Sequence, residues 1–116
     1  MILVIGGIAS GKRTYVRSMG YADSEMSGDP ASDVPVMTDI CDYVFEYGQD
    51  VDIDRLCSML QKKEVIICRE VGSGVIPIDK RNRDVREDLG RISAILSKDA
   101  EKVIRMVCGI PIVLKG

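Results

Sequence analysis

Two rhythms of apolar residues run along the chain. Ile2-Leu3-Val4-Ile5 and Val65-Ile66-Ile67-Cys68 are unbroken β-favouring runs, and such runs predict short strands buried on both faces. Val34-Pro35-Val36-Met37-Thr38-Asp39 predicts a second strand that ends in a carboxylate. Residues 103–107 and 110–114, either side of Gly109, predict a closing hairpin. Helical spacing appears elsewhere. Ile53, Leu56, Cys57 and Leu60 predict a helix over 53–62 with Asp52 as its N-cap. Val85, Leu89, Ile92, Ile95 and Leu96 form the clearest stripe and predict a helix over 79–98. Shorter helices are expected over 12–19, closed by Gly20, and over 41–47, broken by Gly48-Gln49-Asp50.

Two stretches lack either rhythm. Asp, Ser, Gly and Pro dominate residues 21–35, which predicts a loop or a mobile segment. Residues 69–78 carry two glycines and a proline and predict a second loop. Strands alternating with helices imply an α/β fold with a largely parallel sheet. The length, 116 residues, predicts one domain over 1–116, with no internal repeat.

Composition narrows the chemistry. The chain is 46% hydrophobic and 29% charged, enough to bury a core and too apolar to be disordered by composition. Sixteen Lys and Arg against eighteen Asp and Glu give a net charge of −2, which argues against a dedicated nucleic-acid binder. Histidine is absent. That removes Ser-His-Asp triads, histidine metal sites and covalent histidine intermediates. Cys41, Cys57, Cys68 and Cys108 form no C-x-x-C pair and read as reduced, mostly buried thiols of a cytoplasmic protein. The apolar start, residues 1–9, is too short for a membrane span and lacks the basic segment of a signal peptide. No membrane association is expected.

Gly6-Gly7-Ile8-Ala9-Ser10-Gly11-Lys12 fits the first seven positions of G-x-x-x-x-G-K-[ST], directly after the first predicted strand and at the start of a helix. In such a loop backbone N–H groups converge on a phosphate, and the lysine reaches the outer phosphates. The plain alternative is a strand-to-helix turn with an exposed lysine. The position after Lys12, where a Ser or Thr hydroxyl would hold Mg²⁺, is Arg13, followed by Thr14. A helix turns about 100° per residue, which aims Thr14 away from the expected hydroxyl direction. Arg13 then contacts phosphate itself, or the metal rests on carboxylates and water.

Asp39 stands where a second-strand acid could help hold Mg²⁺, or where it could cap the following helix. Asp42 is a weaker substitute. Glu70 follows the third strand, outside whose carboxyl end ligands gather. It could orient a substrate hydroxyl or coordinate a metal through water, or pair with Arg69 or Lys80 as an ordinary loop residue. Lys80-Arg81-Asn82-Arg83, with Arg86, reads as a phosphate clamp or as a solvated helix start.

The stretch Arg69-Glu70-Val71-Gly72-Ser73-Gly74-Val75-Ile76-Pro77 resembles the adenosylcobinamide kinase / adenosylcobinamide-phosphate guanylyltransferase family. The resemblance extends to the Gly6-Gly7 start of the phosphate loop, to Arg86, Asp88, Gly90 and Arg91, and to the ending Val107-Cys108-Gly109-Ile110-Pro111-Ile112-Val113-Leu114-Lys115-Gly116. It implies a phosphate-loop NTPase (RecA-like) domain with a mainly parallel sheet and a C-terminal hairpin, assembled as a homo-oligomer. It implies ATP or GTP as nucleotide, with Mg²⁺, and a corrinoid substrate that is phosphorylated and then guanylylated through a histidine. By that resemblance Gly6, Gly7, Ser10, Gly11 and Lys12 map onto the nucleotide phosphate site, Glu70 onto the acid beside it and Asp39 onto the acidic second-strand position. This makes Lys12 and Glu70 the expected catalytic residues and Asp39 the expected metal position. Ile8, Ala9, Arg13 and Thr14 are further nucleotide-binding candidates from the loop itself, with Arg13 a departure from the family. The missing histidine removes the guanylyl intermediate, so the resemblance points to a shortened relative with kinase-like activity only. A non-catalytic nucleotide- or corrinoid-binding relative is the alternative, and an oligomerising scaffold is a third.

Overall fold

Along the chain the elements run β1 (Ile2–Gly6), α1 (Lys12–Ser18), β2 (Met26–Ser27), β3 (Val36–Met37), α2 (Ile40–Tyr47), α3 (Ile53–Leu60), β4 (Val65–Arg69), α4 (Lys80–Asp99), β5 (Lys102–Val107) and β6 (Ile110–Lys115). The computed structural model describes residues 1–7, 9–38, 40–47, 50–69 and 80–116, with the side chains of 80–83 excepted. The strands form one six-stranded sheet in the order β2-β3-β4-β1-β5-β6. Every pairing is parallel except β5 with β6. This is a mixed α/β fold with a mostly parallel sheet, and it ends in the expected hairpin.

The period of two along the strands explains why the sheet is covered on both faces. Leu3, Met37, Ile66, Cys68 and Val103 point to one side, where they meet α2, α3 and the buried stripe of α4, Val85, Leu89, Ile92 and Leu96. Val4, Val36, Val65, Ile67, Ile104 and Met106 point to the other, against Val16 of α1. Helix α3 begins where the sequence predicts, with the Asp52 carboxylate accepting the Arg55 N–H at 3.2 Å. The far end of α4 is closed by Lys115 of β6, whose ammonium donates to the Ser97 and Lys98 carbonyls at 3.1 and 2.8 Å. Those carbonyls carry the negative end of the helix dipole, so a cation is the fitting cap.

Two sequence expectations need correction. Residues 21–35 are neither a plain loop nor unanchored. A single 3₁₀ turn (Asp23–Glu25) leads into β2, which pairs with β3 at the sheet edge. The segment is tied down by Arg17 to Asp23 at 2.6 Å, and by the buried ammonium of Lys63, which donates to the Ser32 carbonyl and to the Val34 carbonyl at 2.8 Å. A two-residue strand that includes a serine has too few apolar positions to announce itself. The predicted strand over 34–39 is likewise only Val36–Met37. Pro35 has no N–H to give to a ladder, and its carbonyl instead accepts from the Glu64 N–H at 2.9 Å.

Cysteine 108 also departs from the expectation of mostly buried thiols. It is exposed, with φ 50° at the tip of the β5–β6 hairpin, where Cys108 and Gly109 make a two-residue turn of positive φ suited to strand twist. The hairpin's outer strand leaves Ile110, Ile112, Val113 and Leu114 exposed, and an apolar edge of this kind is a template for pairing with another chain. Among the described residues, no helix is long and apolar enough to cross a membrane.

Candidate functional site

In a parallel sheet the loops at the carboxyl ends of the strands collect on one edge, where ligands bind. Register brings three parts of the chain together there. Gly6 at the end of β1 lies opposite Arg69 of β4 on one side and Met106 of β5 on the other. The β5–β6 turn leans onto the connection between β1 and α1, with the Gly109 N–H donating to the Ser10 carbonyl at 3.0 Å.

Close packing shapes this connection. A Cβ on Gly6 would stand 2.4 Å from Ser10 Oγ and 2.9 Å from the Met106 carbonyl oxygen. Gly11 caps α1 at φ 91°, and its Cα faces Gly109 so closely that a Cβ would lie 3.2 Å from the Gly109 Cα. Helix α1 then starts with no side-chain cap and no acid in its first turn. Lys12 and Arg13 occupy that turn, although cations there oppose the helix dipole. The Lys12 ammonium folds back across the connection and donates to the Gly7 carbonyl at 2.5 Å, the Gly6 carbonyl at 3.1 Å and Ser10 Oγ at 3.5 Å.

A cavity of about 440 Å³ opens at this point, lined by Ala9, Ser10, Gly11, Lys12, Arg13, Thr14, Cys41, Asp42, Ile67 and Arg69. Its size suits a small-molecule ligand, for which pockets of roughly 300–1,000 Å³ are usual. A somewhat larger cavity, about 530 Å³, lies beside residues 30–35 and 62–64. It sits at the amino ends of β3 and β4, away from the edge where the sheet gathers its loops.

The expected site residues divide into three groups. Ala9, Ser10, Gly11, Lys12, Arg13 and Thr14 line the cavity together. Thr14 is exposed there beside Arg13. Gly6 and Gly7 are not among the lining residues, and they contribute the carbonyls that hold Lys12. Ile8, Asp39 and Glu70 lie outside the described residues.

Arg69, Cys41 and Ile67 are the lining residues that sequence reasoning did not select. Arg69 Nη1 approaches Cys41 Sγ at 3.9 Å. Burial pushes the Cys41 thiol up from its ordinary range, against the pull of Arg69. Burial also raises Cys68, behind the cavity, against its Ser93 contact and against Lys12 and Arg69. Both thiols therefore stay neutral near pH 7 and offset no cation. Among the described lining residues, Lys12, Arg13 and Arg69 face one carboxylate, Asp42.

That charge balance suits an anion. A protein-held Mg²⁺ needs oxygen donors and usually a carboxylate or two, and the two acids expected to supply them, Asp39 and Glu70, lie outside the described residues. The described lining offers Asp42 and two hydroxyls among three cations, and no cluster of metal-ligating side chains occurs among the described residues.

Residues 46–114, more than half of the chain, match the family described as cobinamide kinase / cobinamide phosphate guanyltransferase. The chain belongs to this family. The matched stretch takes in β4, the Glu70–Pro77 motif, α4 and the hairpin, and it begins after the connection that carries Lys12. The bifunctional adenosylcobalamin biosynthesis protein CobU of Escherichia coli (strain K12) is 27% identical over 99 residues, covering 69% of this chain and 55% of that protein. The chain thus spans about half the length of that curated relative.

Proposed function

We propose that the protein carries out nucleotide-dependent phosphoryl transfer in cobalamin biosynthesis, resembling the kinase half of its family. The observation that carries this reading is the cavity where the Lys12 connection meets the end of β4, with three cations against one carboxylate among the described lining residues. In this reading the connection is a phosphate loop of the RecA-like type, and ATP or GTP is its nucleotide. Its phosphates draw Lys12 off the Gly6 and Gly7 carbonyls and occupy the uncapped start of α1. Phosphoryl transfer depends mainly on positioning and on stabilising charge at the transferred group. Lys12, Arg13 and Arg69 supply that charge, and Asp42 is a described carboxylate near enough to orient an acceptor hydroxyl. The 116 residues contain no histidine, so a histidine-linked guanylyl transfer has no nucleophile within them.

The test is a coupled assay with ATP or GTP and adenosylcobinamide, following phosphorylated corrinoid by mass. Acceptor-dependent product, absent with Lys12→Ala, is expected. Nucleotide binding without any transfer would overturn the kinase reading in favour of a second one, a non-catalytic nucleotide-binding relative. The feature that favours this second reading is Arg13 in place of the metal-binding hydroxyl.

A further inference from the structure

We propose that Arg13 and Arg69 form a two-sided guanidinium clamp on the outer phosphates of a nucleoside triphosphate. The clamp takes over charge that a divalent cation would otherwise carry, so polyphosphate binding does not depend on the metal. This rests on the phosphate-site reading above and adds to it the means by which the anion is held.

The two arginines reach the cavity from different elements, Arg13 from the first turn of α1 and Arg69 from the end of β4. The β1–β4 register fixes Arg69 level with Gly6, where β1 gives way to the connection that carries Lys12. Both side chains belong to exposed residues, so they can meet an entering ligand without unpacking the core. Among the described residues Arg69 makes no ion pair. The acceptor beside it is the neutral Cys41 sulfur at 3.9 Å, a weak partner that a phosphate oxygen would readily replace. A guanidinium presents parallel N–H groups that match two phosphate oxygens at once. Two such groups carry the charge of one divalent cation, and one of them stands at the position where a magnesium-binding hydroxyl is expected.

Isothermal titration of ATP and of inorganic tripolyphosphate, each with Mg²⁺ and with EDTA, tests the clamp on wild type, Arg69→Gln and Arg13→Ser. Wild type is expected to bind both ligands within about threefold in the two conditions, and Arg69→Gln to lose about tenfold or more in EDTA. Arg13→Ser, which restores the hydroxyl, should bind more weakly in EDTA and recover with Mg²⁺. Thermal melting checks that both variants stay folded. Wild-type binding that vanishes in EDTA but persists with Mg²⁺ overturns the clamp and leaves the phosphate site standing. Arg69→Gln binding like wild type in EDTA does the same. Absence of binding by wild type in every condition overturns the phosphate-site reading, and the clamp with it.

Discussion

Lys12→Ala lowers nucleotide affinity by roughly 10- to 150-fold, the loss expected when a charge-assisted contact worth about 1.5–3 kcal/mol is removed. The ammonium is half-buried and anchored by the Gly7 carbonyl at 2.5 Å and the Gly6 carbonyl at 3.1 Å, so it stands at the cavity in a restricted set of positions. In the proposed phosphate site a triphosphate offers it anionic oxygens in place of neutral carbonyls, and that exchange would drive binding. Truncation leaves Arg13 and Arg69 in place, so residual affinity persists rather than falling to nothing. Calorimetric titration beside a denaturation curve separates the effects. Affinity within twofold of wild type in a folded variant would contradict the role given to Lys12.

Gly6→Ala should destabilise the protein by about 1–3 kcal/mol, the usual cost of forcing an extra carbon into a packed site. The new Cβ meets Ser10 Oγ at 2.4 Å and the Met106 carbonyl at 2.9 Å. The serine can rotate, but the Met106 carbonyl belongs to the backbone of β5 and cannot move without disturbing the sheet. Gly7→Ala is the control. A Cβ there meets nothing within 4 Å among the described residues, and Gly7 has no positive φ, so its stability should stay within about 0.5 kcal/mol of wild type. Chemical denaturation of the two variants measures the difference. Equal stabilities would show that the tight corner beneath the connection is not tight.

The parts of this fold that were legible in sequence are those whose signal is local. The Ile2–Ile5 run, the Asp52 cap, the stripe from Val85 to Leu96 and the turn at Gly109 each declare themselves within a few residues, and each is present. Strand β2 was not legible, because two residues set no period, and β3 is cut short by Pro35. The candidate site divides in the same way. The Gly6 to Thr14 stretch is readable as a motif, whereas Arg69 joins it only through the β1–β4 register, and Gly109 only through its hydrogen bond from the hairpin turn to the Ser10 carbonyl. Neither depends on neighbouring residues in the chain, so no window of sequence contains the information. Asp39 and Glu70, the two carboxylates the sequence singles out, lie outside the described residues, and their roles rest on the motif alone.

In the proposed function a nucleotide's phosphates occupy the cavity between the Lys12 connection and Arg69. An amide ¹H–¹⁵N correlation spectrum titrated with ATP tests it most directly, because every non-proline backbone position reports at once. The largest shifts are expected on Gly7, Ser10, Gly11, Lys12, Arg13 and Thr14, with Cys41, Arg69 and the hydrogen-bonded Gly109 following at the same midpoint. Shifts concentrated elsewhere, such as around Lys62 and Lys63 beside the second cavity, would contradict it.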